Sequence, residues 1–134
     1  DHALPGPKGR GAILVRYGEG PSSLAIIMMH LALGSRVRNL QLGYIRELAS
    51  DYRHCVLMGD MNTHTDDLLY RSPLRGLDLS AAQTCATFPS WKPAHCLDHI
   101  LLSPELEARH SRVVAYPLSD HLPVATEIRL PDTF

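Results

Sequence analysis

The sequence has little of three features that mark common classes of protein: excess positive charge, long apolar runs and paired cysteines. Thirteen lysine and arginine residues stand against fourteen aspartate and glutamate residues, which gives a formal net charge of -1. Tight, sequence-independent binding to long nucleic acid requires many phosphate contacts, so it is not expected here. The longest apolar run, Leu24–Met29, is too short to cross a membrane, and no transmembrane segment is predicted.

Cysteine is scarce and shows no pairing pattern. Cys55, Cys85 and Cys96 are odd in number and include no CxxC spacing, so neither a disulfide framework nor a common zinc-binding pattern follows. A reducing compartment is the simplest interpretation, and we predict a cytoplasmic protein. The chain begins at Asp1 rather than methionine and shows no secretory signal, which suggests that an upstream segment was removed or never included.

The length and the apolar patterns predict one α/β domain over residues 1–134. Short apolar runs bounded by turn residues indicate strands. We expect six of them, at Ala12–Arg16, Leu24–Leu31, Cys55–Met58, Leu97–Leu102, Val113–Tyr116 and Val124–Leu130. The Gly- and Pro-containing turn at 18–22 predicts that the first two strands pair as a hairpin.

One long helix is predicted from Ser35 to about Asp51, with Ser35 as its N-cap. Leu42, Ile45 and Ala49 recur at i, i+3 and i+7, which is the spacing of one helix face. This face is expected to pack on the sheet. The order of strands and helix is typical of a mixed α/β layer.

Polar side chains cluster where the apolar strands begin or end, which is where sites gather in α/β sheets because strands fix the backbone. The chain also contains eight histidines, and histidine is both a frequent metal ligand and a proton carrier near neutral pH. The candidates are His30 after the second strand, Asp60 and Asn62 in MGDMN, Asp98 in CLDHIL, and Asp120 and His121 in PLSDHLPV.

Each motif alone also has a purely structural interpretation. Gly-Asp-x-Asn is a common turn, and Ser-Asp-His can be another. His30 on an apolar strand is more often a satisfied core imidazole, and His99, which points opposite Asp98, is expected to be one. Trp91, in a proline-flanked loop, is more often a packing anchor than a stacking surface for a base or lipid group.

Taken in order, the motifs resemble the endonuclease/exonuclease/phosphatase superfamily. The resemblance rests on a strand-end histidine, GDxN, TFPSW, LDHIL and SDHxPV, and it covers about Gly11 to Leu130. It implies the C-terminal half of a four-layer α/β sandwich: one mixed, mostly antiparallel sheet of about six strands with one long helix packed on it. It also implies a metal-dependent hydrolase of phosphoester bonds.

The resemblance assigns roles to the first three candidates. His30 falls on the histidine that contacts a phosphate oxygen. Asp60 falls on the aspartate that orients or activates the attacking water, and it is also a candidate metal ligand. Asn62 falls on the asparagine that donates a hydrogen bond to the phosphoryl group.

The remaining candidates follow in the same way. Asp98 falls on the aspartate that orients the final histidine, which is His121, and His121 acts as base or as phosphate ligand. Asp120 falls on an aspartate that helps to hold the divalent cation. Oxygen ligands favour Mg²⁺ or Mn²⁺ over zinc.

The sequence departs from the family in one respect that affects function. The family's first half supplies an Asn and a Glu, and the Glu is a principal metal ligand; neither has a counterpart here. We therefore expect an incomplete enzyme that binds Mg²⁺ weakly. Because an apolar face is left uncovered, we also expect the chain to be poorly soluble, to self-associate through that face, or to require a missing N-terminal half to fold. Its substrate could be nucleic acid, a phospholipid or a small phosphodiester.

Two other functions stay open. A non-catalytic remnant, or a half-domain that binds a partner, would explain the absent Glu. A zinc-binding module could be built from Cys85, His95, Cys96 and His99, although their spacing fits no usual pattern.

Overall fold

The computed structural model describes residues 1–134. Its strands are β1 (His2–Ala3), β2 (Gly11–Tyr17), β3 (Leu24–His30), β4 (His54–Asp60), β5 (Ser80–Ala81), β6 (Asp98–Leu102), β7 (Glu107–Val113) and β8 (Val124–Arg129). Its helices are α1 (Ser35–Ser50) and α2 (Thr65–Arg71), and a 3-10 turn covers Gly20–Ser22. Neither α-helix has the length and apolar character needed to cross a membrane.

Six strands form one mixed sheet in the order β1-β2-β3-β4-β6-β5. Only β3 and β4 are parallel, and the other neighbouring pairs are antiparallel. The mixed sheet and the β2–β3 hairpin are confirmed, but the membership of the sheet differs from the prediction: β1 and β5 belong to it, and the strand predicted at Val124–Leu130 does not. Strands β7 and β8 form a separate two-stranded sheet.

The predicted strand at Val113–Tyr116 is wrong. The strand in this region is β7, which ends at Val113, and residues 114–117 have no regular structure. Strand β7 reads EARHSRV and pairs only with β8, so most of its side chains are polar and partly or fully exposed. A surface strand of this kind carries no apolar run, which explains why the sequence pattern missed it.

Helix α1 covers the segment predicted as helical, but the structure has two helices rather than one, and the N-cap of α1 differs from the predicted one. The cap residue is Gly34, which has no side chain to satisfy the first amide groups, and Ser35 is the first helical residue. A second, shorter helix, α2, follows β4. The buried face of α1 is the predicted one: Leu42 and Ile45 are fully buried against the sheet residues Ile27 and Leu57.

The opposite face of the sheet is only partly covered. The β7–β8 hairpin packs over the part formed by β4 and β6, where Ile128 meets a small apolar cluster that includes Val56 and Ile100. The part formed by β2 and β3 is open, with exposed side chains of Ile13, Val15, Tyr17 and Met28. We call these four residues the open apolar face; it agrees with the uncovered surface expected from the sequence.

Candidate active site

Three neighbouring strands place three candidate residues in one row at the same edge of the sheet. The parallel register of β3 and β4 sets His30 beside Asp60. The antiparallel register of β4 and β6 sets Asp98 across from Asp60. Residues separated by 30 and 38 positions in sequence thus become lateral neighbours because of sheet pairing.

Gly59 allows the strands to approach closely at this edge. Its φ is +134°, a conformation that L side chains rarely adopt, and a Cβ built on it would lie 1.9 Å from the carbonyl oxygen of Met29. Only glycine fits such a close approach between backbones. The residue directly before Asp60 is therefore fixed as glycine by packing.

The turn after β4 holds Asp60 in place. The Asp60 Oδ1 atom accepts a hydrogen bond of 3.0 Å from the backbone N–H of Asn62, whose φ is +49°. The Asn62 side chain donates through Nδ2 to the carbonyl of Leu31 at 2.7 Å, which ties this turn to the end of β3. One of the two Nδ2 protons is thus used structurally, and one is left for a ligand.

His121 lies between two carboxylates. Its Nδ1 is 2.6 Å from Asp98 Oδ2 and its Nε2 is 3.6 Å from Asp60 Oδ2. Burial lowers the pKa of His121, but the hydrogen bond to Asp98 and the charges of Asp98, Asp60 and Asp120 outweigh it, so the pKa is raised overall. The ring also packs against Phe88, with centroids 4.7 Å apart.

Thr87 connects these groups, and sequence reasoning gave it no role. It is fully buried, and its hydroxyl donates to Asp98 Oδ2 at 2.7 Å. The Thr87 Oγ1 atom in turn accepts a hydrogen bond of 3.3 Å from the backbone N–H of Asp98. The Thr87 carbonyl accepts from the N–H of Leu122, next to His121, at 2.9 Å. The signal was present, because Thr87 opens the TFPSW motif.

His30 is an exposed residue, so the interpretation of it as a buried core imidazole is wrong. Its Nε2 lies 2.7 Å from Arg10 Nη1 and 3.4 Å from Asp60 Oδ2. A guanidinium has only donors, so Nε2 must accept from Arg10 and carries no proton in this arrangement. The contact with Asp60 is then not an ion pair through that nitrogen. Arg10 lies in the irregular N-terminal segment, where no pattern pointed to it.

Two carboxylates and an imidazole could hold a cation. The ligand atoms of Asp60, Asp98 and His121 all lie within 4.8 Å of one another. Asp98 Oδ2 already accepts hydrogen bonds from Thr87 and His121, which leaves Asp60 as the freer carboxylate. Asp120 lies outside this group on an exposed segment. Carboxylate oxygens suit Mg²⁺ or Mn²⁺, so the donor set fits such an ion.

The motifs and this geometry agree with a family match. A model described as the endonuclease/exonuclease/phosphatase family matches residues 5–121. The chain belongs to this family. Among curated proteins, no sequence matches it significantly.

Three solved structures resemble the chain in fold. A mannosyl-6-phosphatase from Bacteroides thetaiotaomicron VPI-5482 is 18% identical, with a TM-score of 0.65 over 81% of this chain and 52% of that one. D. rerio TDP2, complexed with a single-strand DNA product, is 15% identical, with a TM-score of 0.69 over 90% and 62%. The human Nocturnin catalytic domain, with bound sulfate, is 21% identical, with a TM-score of 0.67 over 96% and 56%. The chain therefore spans 52% to 62% of their lengths.

The burial of His99 and the exposure of Trp91 can be compared with the roles predicted for them from the sequence. His99 is fully buried as expected, and its Nε2 lies 2.7 Å from the Thr63 carbonyl, to which it donates. Burial lowers the pKa of His99, although the bond to Thr63 opposes this effect. Trp91 is 74% exposed, so the expectation that it anchors the packing is wrong.

The four residues of the hypothetical zinc module do not form a group of metal ligands. His99 Nδ1 lies 3.9 Å from Cys96 Sγ, but His95 turns away from this pair and faces His64 instead. The zinc module built from these four residues is therefore wrong. All three cysteines are free thiols.

Proposed function

We propose that this chain supplies one part of the catalytic centre of a Mg²⁺- or Mn²⁺-dependent phosphoester hydrolase. The observation that carries the proposal is the Asp98–His121–Asp60 arrangement, in which one imidazole bridges two carboxylates at a sheet edge. When bound, the divalent cation offsets the charge that develops on the phosphoryl oxygens. Asp60 is its principal ligand from the residues of the row, and Asp120 remains a further predicted ligand.

His121 is proposed to act through Nε2. The bond from Nδ1–H to Asp98 fixes the orientation and tautomer of the ring, which leaves Nε2 facing the open side near Asp60. Against the effect of burial, the bond to Asp98 and the neighbouring carboxylates raise the pKa of His121, which favours the protonated imidazole relative to a free one. The family implies a base or a phosphate ligand, and this direction supports the second role, in which Nε2–H donates to a phosphate oxygen.

The other residues are proposed to position water and substrate. Asp60 accepts a hydrogen bond from water and orients it toward phosphorus. The second Nδ2 proton of Asn62 and the exposed ring of His30 bind phosphoryl oxygens. The net charge of -1 favours a small or locally held phosphoester over long nucleic acid. The proteins with similar folds include a mannosyl-6-phosphatase and a protein complexed with a single-strand DNA product. The fold alone therefore does not distinguish among nucleic acid, phospholipid and a small phosphodiester as the substrate.

The missing Glu ligand is proposed to come from an N-terminal half, because the chain spans little more than half of its structural relatives. The open apolar face would then be covered by that half. A second copy of the chain is the other way to cover it, and sedimentation of the purified chain distinguishes the two. The free thiols agree with the proposed cytoplasmic location.

The main alternative is a non-catalytic remnant, which the partial coverage also favours. The test measures hydrolysis of bis-p-nitrophenyl phosphate with Mg²⁺, by the chain alone and with an N-terminal half from a family member. We expect turnover only in the mixture, abolished by chelation. No turnover in either sample supports the remnant, and turnover by the chain alone contradicts the missing ligand.

Matched variants separate the site from general effects on folding. In the active mixture, Asp60→Asn and His121→Gln should each lower turnover by about 100-fold or more. The controls Asp132→Asn and His110→Gln change the same residue types at exposed positions outside the site. Near-wild-type rates in either site variant would contradict the assigned roles.

A further inference from the structure

Two exposed histidines, His64 and His95, meet outside the proposed catalytic centre. The segment that follows β4 and the segment that precedes β6 enclose an open cavity of about 510 Å³. His64, Asp66 and Cys96 line it. His64 Nε2 lies 3.0 Å from His95 Nδ1, and both imidazoles are exposed at the surface.

The two imidazole nitrogens already stand at nearly the separation that one metal ion imposes. Two nitrogens bound to one tetrahedral zinc at 2.0–2.1 Å lie about 3.3 Å apart. The observed 3.0 Å is a few tenths of an ångström shorter. Each ring makes its side-chain hydrogen bond only with the other, so one of the two facing nitrogens carries the proton and the other accepts it. When both neutral rings carry their proton on the outer nitrogen, both lone pairs face the gap and a cation between the rings would use both.

The backbone on each side of this pair is fixed. The carbonyl of His64 accepts the N–H of Leu68 at 3.1 Å, in the first turn of α2. His95 pairs with Phe88 in an isolated bridge, with its N–H 2.9 Å from the Phe88 carbonyl. Two ligands on a fixed backbone need only small side-chain movements to bind an ion, which lowers the entropic cost of binding.

We propose that His64 and His95 form a surface site for a borderline transition-metal cation, Zn²⁺ or Cu²⁺. Imidazole nitrogen suits these ions, whereas the carboxylates of the catalytic centre suit Mg²⁺ or Mn²⁺. Water completes the coordination on the open side. The two centres thus differ in ligand chemistry and should be filled by different metals.

The position of the pair gives the site a structural consequence. His64 follows Asn62 by two residues, and His95 precedes Asp98 by three. An ion held between them cross-links the segments that lead into the two sides of the catalytic row. Because the ion binds the folded state and not the separated segments, Zn²⁺ should raise the unfolding temperature.

Zn²⁺ binding is measured by competition with a chromophoric chelator, in excess Mg²⁺ so that the carboxylate centre is occupied. We expect one equivalent of Zn²⁺ bound to the wild-type chain, and at least tenfold weaker binding in His64→Gln and in His95→Gln. Both side chains are exposed, so unfolding curves without zinc should match those of the wild type. The control His110→Gln removes another exposed histidine, and Asp60→Asn weakens the carboxylate centre; neither should change zinc affinity.

Three results would overturn the proposal: no zinc bound by the wild type, unchanged affinity in both histidine variants, or loss of zinc in Asp60→Asn. A second readout uses Cu²⁺. Its electron paramagnetic resonance spectrum should show coupling to two imidazole nitrogens, and to one in either variant. The rise in unfolding temperature with Zn²⁺ should disappear in the same two variants and persist in His110→Gln.

Discussion

Replacing Gly59 by alanine tests whether close backbone packing positions the candidate catalytic row, which is formed by His30, Asp60 and Asp98. Gly59 lies directly before Asp60 and opposite Met29 in the parallel β3–β4 pair. The added Cβ would lie 1.9 Å from the Met29 carbonyl oxygen, and 3.0 and 3.1 Å from its carbonyl carbon and amide nitrogen. All three atoms belong to the backbone, so no side chain can rotate to relieve the contact. The strands themselves must separate.

The cost follows from the size of that separation. A carbon and a carbonyl oxygen rarely approach closer than about 3.3 Å, so the strands must part by roughly 1.4 Å at this point. That displacement breaks one or two ladder hydrogen bonds, at about 1–3 kcal/mol for each buried group left unsatisfied. The positive φ adds about 1–3 kcal/mol for alanine. We expect a total loss of about 2–9 kcal/mol, against a typical domain stability of about 5–15 kcal/mol.

Urea unfolding followed by far-UV circular dichroism measures this loss. The control is Gly43→Ala in α1, where nothing lies within 4 Å of the added Cβ. Alanine is the better helix former by about 1 kcal/mol, so this variant should be more stable than the wild type. If the Gly59→Ala chain fails to fold, its loss of stability lies at the upper end of the expected range. A loss below about 1 kcal/mol would refute the argument from backbone packing.

Two further predictions concern buried polar groups. Thr87→Val keeps the shape of the side chain but removes the hydroxyl that donates to Asp98 Oδ2. The free energy of unfolding should therefore fall by about 1–3 kcal/mol, and turnover in the active mixture should fall about tenfold. Unchanged values would show that Thr87 does not position Asp98. The pKa of His99 is lower in the folded chain than in the unfolded chain, so the unfolded chain binds a proton at this imidazole more readily. The resulting contribution to stability is fully present above the unfolded pKa. It is lost as the pH falls through the unfolded pKa toward the folded pKa. His99→Gln retains a donor to Thr63 and does not titrate, so in metal-free buffer its unfolding free energy should decline less between about pH 7 and pH 5. Equal declines in the two proteins would contradict the burial effect.

The strands and the helix that bury apolar side chains could be predicted from the sequence. Strands β3, β4 and β6 are buried by the helices or by the β7–β8 hairpin, and their sequences are apolar over most of their length. Helix α1 carries one apolar stripe because one face packs on the sheet. Strand β7 could not be predicted because it faces solvent, and β1 and β5 are two residues long, below the length at which any period is visible.

Only those residues of the candidate site that lie at the ends of strands or in motifs of the family could be predicted from the sequence. His30, Asp60 and Asp98 follow from where strands begin and end, and the register of the sheet brings them into one row. Arg10 could not be found in this way, since its contact depends on how the N-terminal segment folds back onto the sheet. Thr87 lies in the TFPSW motif, but its bond to Asp98 depends on the fold of that loop and could not be predicted. The pairing of His64 with His95 has the same origin, because no local pattern links residues 31 positions apart.

Residues of this chain hold Asp98 and His121 in the candidate site. Asp98 is fixed by Thr87 and His121, and the loop before His121 is fixed by the bond from the Ser90 N–H to the Asp120 carbonyl. None of these bonds requires the open apolar face to be covered. Positioning of the row and binding of the cation are therefore separable properties. A missing ligand should weaken metal binding and turnover while leaving the Asp98–His121 hydrogen bond intact, so the His121 imidazole should retain its raised pKa in the isolated chain.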